Sequence, residues 1–306
     1  MYGALCKVQE PIPGRTEDAV PTTSSPTVKR RRLAAELHAC REDAGLTIDD
    51  VADQLEWSAA KISRIENARV RVLPRDVKYL LRIYRVKEGG PDWDMLVTLA
   101  REAHQKGWWH AYGDAMSESL KTLVGLETAA TTLRTYEPEC VPGLLQTEDY
   151  ARAINRAALT AQTDDEIEKY VAVRMARQER LTQSPPTELW AVVGEGAIRQ
   201  QVGGVEVMLG QLARLLEASY LPNVTLQVMP LGGGAHPGMA GSFMMMSFPE
   251  PADPDVVYVN YSTGSLFLEK PEEVARSALI FNHLCAAALS ISQSREMVSH
   301  AQQELA

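Results

Sequence analysis

The chain has 306 residues, 45% of them apolar, which is enough to bury a sizeable core and to hold two domains. No apolar run approaches the ~20 residues that cross a bilayer, and the N-terminus lacks an apolar signal core, so a cytoplasmic protein without a membrane partner is expected. Cys6, Cys40, Cys140 and Cys285 are widely scattered and form no C-x-x-C pair, which argues for a reduced protein without a cysteine zinc site.

The formal charge of −9 is unevenly spread. Between Thr27 and Lys87 there are 14 Lys+Arg against 9 Asp+Glu, a balance of +5, so the remainder carries −14. A basic module on an acidic body fits local phosphate binding, with the body repelled from a duplex.

Residues 1–26 are rich in Pro, Thr, Ser and Gly and read as a disordered tail. Lys29-Arg30-Arg31-Arg32 opens a first helix that turns Leu33, Leu37 and Cys40 inward and ends near Gly45. Four cations at a helix N-terminus oppose the helix dipole, so they read either as phosphate contacts or as a solvated face. Two short helices follow. Thr47 is placed to N-cap the first and Ser58 the second, with Leu46/Val51 and Trp57/Ile62 at the spacing of hydrophobic staples. Val51, Ala52, Leu55, Ile62 and Ile65 recur at three- and four-residue intervals, giving each helix one apolar stripe. This is the layout of a helix-turn-helix, whose second helix enters the DNA major groove.

The motifs A-x-x-L at 52–55, W-S at 57–58 and K-I-S-R-I-E-N at 61–67 resemble the helix-turn-helix of xenobiotic-response-element regulators, which are similar to Cro and phage-repressor domains. Glu56 stands where that turn usually has Gly, and a left-handed conformation there costs about 1 kcal/mol. Asn67 stands at the usual C-terminal Gly and is expected to adopt the same conformation. Ile48 replaces a Gln that touches a phosphate in many relatives. The resemblance also implies that Arg41, six residues before Thr47, pairs with Glu66 at the end of the recognition helix and so fixes the angle between helices. With Ile62 and Ile65 inward, the candidates to face DNA are Ser58, Ala59, Ala60, Lys61, Ser63 and Arg64, with Arg69 and Arg71 just beyond. Arg64 suits a bidentate contact to guanine and Ala59 a thymine methyl, whereas Ser58 and Lys61 suit phosphates.

Pro74–Tyr84 reads as a fourth helix, with Val77, Leu80, Leu81 and Tyr84 inward, and Asp92 to about Gln105 as a fifth. These complete a mainly α domain over 27–106. Trp108-Trp109 and Tyr112 begin a second domain, 107–306, and are read as an interface anchor rather than a ligand cage. Within it, helices are expected over Thr147–Leu159, Asp164–Thr182, Val205–Ser219, Pro271–Leu289 and Ser292–Leu305, and strands over Leu189–Val193, Thr225–Met229, Ser242–Phe248, Val256–Asn260 and Ser265–Leu268. That order makes an α+β domain with a mostly antiparallel sheet. Strand alternation sends Met244 and Met246 to one face and Met245 to the other.

W-W-H-A-Y-G-D at 108–114, R-T-Y-E-P at 134–138, V-P-G-L-L-Q-T-E-D-Y-A-R at 141–152 and L-P-N-V-T-L-Q-V-M-P at 221–230 resemble the large C-terminal domain of actinobacterial WhiJ-like, antitoxin-like regulators. The resemblance implies recognition of a small partner protein encoded nearby; the alternative is a small-molecule effector. The glycine run 232–234 with His236 lacks the G-K-[ST] ending of a phosphate loop and reads as a strand connection. No G-x-S-x-G, H-E-x-x-H or clustered metal-ligand pattern occurs. The expectation is therefore a non-enzymatic regulator without cofactor, catalytic residues or metal, bound to operator DNA as a homodimer.

Overall fold

The computed structural model describes residues 25–158 and 163–306. Residues 1–24 and 159–162 lie outside it; the reading of a disordered tail falls on the first stretch, and Leu159, at the end of one expected helix, on the second. Ser25 and Pro26, which that reading included, instead start the first helix. The Ser25 hydroxyl accepts from Thr27 N, and Pro26 sits at the first helical position, where a missing N–H costs nothing.

Five helices form the N-terminal part: α1 (Pro26–Asp43), α2 (Ile48–Leu55), α3 (Ala59–Glu66), α4 (Pro74–Ile83) and α5 (Pro91–Ala103). Their inward stripes meet in one core of Leu33, Leu37, Val51, Ile62, Leu80, Leu81 and neighbours. Leu80, Leu81 and Val77 lose all solvent contact, and Tyr84, capping α4, is buried beside them.

A 3-10 helix, Trp108–Ala115, leads into α6 (Glu118–Ala129) and β1 (Thr132–Glu137). Then come α7 (Glu148–Ala157), α8 (Asp164–Gln178), β2 (Glu188–Gly194), α9 (Glu195–Arg199), α10 (Val205–Ala218) and β3 (Val224–Met229). The strands β4 (Phe243–Ser247), β5 (Val256–Tyr261) and β6 (Gly264–Leu268) precede α11 (Pro271–Ala287) and α12 (Ile291–Leu305). The α+β class with a mostly antiparallel mixed sheet is as expected. Strand order is β3-β2-β1-β4-β5-β6. β1, β2 and β3 pair in parallel because helical crossovers join them; β1/β4, β4/β5 and β5/β6 are antiparallel. Neither β1 nor α6 was among the expected elements.

The sheet is covered on both faces. Met244 and Met246 join Leu133, Ala191 and Val193 under α10 and α12, while Met245 joins Tyr136, Val192, Phe281 and Leu284 on the α11 side. Among the described residues, no single helix is long and apolar enough to cross a membrane.

The two parts are packed together at α1. Val28 belongs to the sheet-side core with Leu126. Opposite it, Gly125 of α6 lies so close to Thr27 and the Trp109 ring that an added Cβ would sit 2.1 Å from Thr27 Oγ1 and 3.0 Å from Trp109 Cζ2. Trp109 is buried at this crossing, and Trp108 Nε1 donates to Thr128 Oγ1 at 3.2 Å. The basic run of α1 is not simply a solvated face. Lys29 pairs with Glu102 at 3.3 Å, Arg31 pairs with Glu269 of the C-terminal part, and Arg30 faces a cavity at the junction.

Candidate nucleic-acid interface

The helix-turn-helix is built from its caps. Thr47 Oγ1 accepts from Asp50 N at 3.1 Å while Asp50 Oδ2 accepts from Thr47 N at 2.8 Å, a reciprocal box that starts α2. Thr47 Oγ1 also donates to Asp50 Oδ2 at 2.6 Å, and this bond with the one from Thr47 N holds the Asp50 carboxyl below its ordinary pKa. Ser58 Oγ accepts from Lys61 N at 3.3 Å and starts α3.

The helix ends share one device. After α1, Gly45 has φ +69°, with Gly45 N bonded to Glu42 O and Leu46 N to Arg41 O, the paired bonds of a Schellman cap. Glu56 after α2, Ala68 after α3 and Arg85 after α4 repeat that pattern at φ 54°, 54° and 59°. Glu56 therefore adopts the left-handed turn expected of it. Asn67 does not: its φ is −99°, and Ala68 turns the chain instead. Asn67 Nδ2 is occupied in bonding Ser63 O at 2.7 Å, so its side chain closes the helix while the next residue bends it.

Under α3 lies a buried polar knot. Arg41 Nε donates to both Glu66 oxygens at 2.9 and 3.0 Å, and Nη2 donates to Oε2 at 2.9 Å. Arg41 Nη1 caps Leu46 O at 2.8 Å, Tyr84 Oη donates to Glu66 Oε1 at 3.1 Å, and His38 Nδ1 lies 2.9 Å from Oε2. Burial by itself would raise the Glu66 pKa, but the bonds from Arg41, His38 and Tyr84 overcome it and hold the carboxyl below its ordinary range. Burial and the adjacent Glu66 push the Tyr84 phenol up. The structure thus brings Arg41 and Glu66 together and ties α1, α3 and α4 through them. Tyr84 and His38 were not anticipated as partners. The sequence marks Tyr84 only as an inward residue of the fourth helix, although a Tyr on the inner face of a helix must place its hydroxyl somewhere polar.

Ile62 and Ile65 are buried, which turns the other face of α3 outward. Ser58, Ala60, Arg64 and Arg69 are exposed, whereas Ala59, Lys61 and Ser63 are half-buried. Arg64 Nε donates to Ala60 O one turn back, at 3.2 Å, leaving the guanidinium end on the outer face. Lys61 is not a free cation. Its Nζ lies 3.2 Å from the Trp57 ring centroid and 3.3 Å from Asp76 Oδ2 of α4. Its four-residue spacing from Trp57 was readable in the sequence; the Asp76 contact, across a turn, was not. Asn67 and Arg75 are further exposed polar residues near this face that the sequence reading left out.

In the C-terminal part, β1, the segment 138–146, α8 and β4 enclose a cavity of about 480 Å³. Arg174 reaches into it and donates to Gln146 Oε1. Burial, then the neighbouring Arg177, lowers the Arg174 pKa to about 10. Burial raises the nearby Glu137 carboxyl to about 7, against the opposing pull of Arg174. Arg177 is held by a two-pronged bond to Glu127 at 2.7 and 2.6 Å, whereas Arg174 has Glu137 nearby but no carboxylate bonded to it. His236 of the glycine-rich connection is packed edge-on to Tyr136, and Gly238 touches the Tyr136 ring and Leu284 so closely that a Cβ would sit 2.6 Å from Tyr136 Cε1. The connection is thus anchored to Tyr136 and α11 through His236 and Gly238, while the rest of it is exposed.

Residues 32–90 match a family model described as a helix-turn-helix domain, and residues 120–300 match one described as a domain of unknown function, DUF5753. Neither the curated proteins nor the solved structures gave a match.

Proposed function

The chain belongs to the DUF5753 family and carries a helix-turn-helix domain ahead of it, and from that premise we propose that it is a sequence-specific transcriptional regulator of the xenobiotic-response-element type. The helix-turn-helix domain supports DNA binding and regulation. The observation that carries it is the outer face of α3, where Arg64 is exposed beside small Ala60 while Arg41–Glu66 holds the helix from below. A long planar cation among small side chains suits a guanine edge. One such helix reads few bases, so a homodimer on half-sites about 34 Å apart would supply the remaining specificity. The proposal assigns the chain no catalysis and, with the actinobacterial WhiJ-like resemblance, an antitoxin-like role in which the C-terminal domain binds a small partner protein.

The test is binding of the full chain to its own upstream region, repeated across salt concentrations. Arg64→Ala is expected to lose about 1–3 kcal/mol of sequence discrimination, and Lys61→Ala to weaken all sequences alike and lower the salt slope. Because Lys61 is held by Asp76 and Trp57, its contact with a phosphate requires exchange of that ion pair. Unchanged operator affinity in Arg64→Ala refutes the assignment of the reader.

A second reading, an effector-sensing C-terminal domain, is supported by the Arg174 cavity, whose size is that of a small-ligand pocket and whose Arg174, bonded to no carboxylate, could take a carboxylate ligand in competition with the nearby Glu137. Small carboxylates that raise the Tm of the wild type but not of Arg174→Met would favour it.

A further inference from the structure

At the junction between the two parts lies an open cavity of about 260 Å³, at whose mouth Arg69 and Arg71 are exposed. Arg30 of α1, Arg69 and Arg71 from the segment after α3, and His110 and Lys121 of the C-terminal part all line it. The one carboxylate among the lining residues, Glu118, is already bonded to Lys121 at 2.8 Å. Four cationic side chains therefore converge against one paired carboxylate. Arg30 Nε is buried without a hydrogen-bond partner, and Arg71 is turned against the His110 ring, which supplies no charge to offset it. Burial and the facing Arg71 both disfavour the charge on Arg30, and burial with Arg71 and Lys121 pushes His110 toward its neutral form. Elsewhere on α1, Lys29 pairs with Glu102, Arg31 with Glu269 and Arg41 with Glu66, while Arg32 Nε, like Arg30 Nε, is buried without a hydrogen-bond partner. What sets the junction apart is that several cations from different elements gather there round one paired carboxylate.

We propose that this cavity is an anion site for a phosphate group. Planar guanidinium forks and a lysine are the side chains that grip phosphate, and an anion would satisfy the orphaned Arg30 Nε while cancelling the repulsion between Arg30 and Arg71. The volume falls just below that of drug-sized pockets, about 300–1,000 Å³, so it suits a compact, highly charged group rather than a large apolar ligand. Its position gives it a consequence. Arg69 and Arg71 leave the C-terminal end of the recognition helix, and Lys121 and His110 belong to the body, so one anion bridges the two. Two sources share this chemistry: a free phosphate-bearing small molecule, and a phosphate of the bound duplex.

Inorganic pyrophosphate is the probe, added to the full chain and compared with chloride at matched ionic strength. Thermal unfolding reads the free-anion source without any DNA, so it stands or falls separately from the regulator reading. A pyrophosphate-dependent rise in Tm of about 2 °C or more, absent in both Arg71→Ala and Lys121→Ala, supports the site and identifies a free anion. No rise in Tm, with each variant lowering the salt slope for a generic duplex by about 1, supports it with the DNA backbone as occupant. The two substitutions sit on different elements, so a folding defect in one leaves the other informative. No pyrophosphate effect together with unchanged duplex binding in both variants overturns the proposal.

Discussion

Replacing Arg41 with Ala removes three bonds to Glu66 and one to the Leu46 carbonyl. What it leaves behind decides the cost. The Glu66 side chain is 2% exposed and, at neutral pH, ionised. Breaking a buried pair by removing one partner costs about 3–5 kcal/mol, because the survivor stays charged and dry. Two partners remain, Tyr84 Oη and His38, and His38 is half-exposed and able to admit water, so the lower end, about 3 kcal/mol, is expected. Hydrogen exchange of the α3 amides reads this locally, without requiring the two cores to unfold as one. The pH dependence is the sharper check. In the wild type, the depressed Glu66 pKa contributes stability that is complete above the unfolded carboxylate value and is lost as pH falls through the lower folded value. In Arg41→Ala burial dominates and the pKa rises, so the penalty grows as pH rises through the unfolded value of about 4.3 and shrinks as pH falls below it. Removing the whole knot, as Arg41→Met/Glu66→Leu/Tyr84→Phe, should cost less than the single change. A penalty below about 1 kcal/mol that ignores pH would refute the buried-charge argument and make this a surface-like pair.

The left-handed residues Glu56, Ala68 and Arg85 each strain a side chain where Gly45 shows the unstrained solution. Each change to Gly is expected to add about 0.5–1 kcal/mol, the relief of the left-handed penalty less the extra unfolded-state entropy, read as a rise in Tm. Glu137→Gln tests the Arg174 cavity: a carboxylate raised to about 7 stabilises the fold below its unfolded pKa and loses that contribution as pH climbs to the folded value. Because Glu137 keeps some solvent contact, the variant should gain roughly 1–2 kcal/mol at pH 8 and almost nothing at pH 4, and a gain equal at both would show that Glu137 is not desolvated. Gly125→Ala should cost about 1–3 kcal/mol and speed proteolysis between α5 and α6, since the added methyl drives α1 off α6; full stability would mean that the junction is soft.

The recognition helix was legible because its signals are local and redundant. Thr47 and Ser58 mark the helix starts, and the spacing of Val51, Ala52, Ile62 and Ile65 sets the buried face. What escaped depends on contacts across the chain. β1 carries Arg134 and Tyr136 on one face and Leu133 and Thr135 on the other, an alternation too polar to stand out until the sheet covers both sides. Its neighbour α6 breaks helical patterning at Gly125, which is small because Trp109 and Thr27 press on it. Asn67 was given the left-handed turn because Asn tolerates it, but its amide found a better use on the Ser63 carbonyl. Arg177 and Glu127 lie fifty residues apart, and nothing in their own surroundings marks them as a pair.

The basic run of α1 shows how one stretch of sequence is divided by the fold. A helix turns successive residues by about 100°, so four adjacent cations cannot share a face. Lys29 reaches α5, Arg31 crosses to Glu269, and Arg30 is left over the junction cavity with Arg69 and Arg71. The recognition helix is thereby tied to the body twice. Arg41 and Glu66 hold it from within the N-terminal core, and the segment leaving it is held beside a cavity whose charge is unbalanced. The first tie is internal and permanent, because both charges are present in the chain. The second gathers Arg30, Arg69 and Arg71 round a single carboxylate, Glu118, that Lys121 already holds. A body that lends Lys121 and His110 to that cluster can alter how firmly the exit of α3 is held, and an anion bound there would set it.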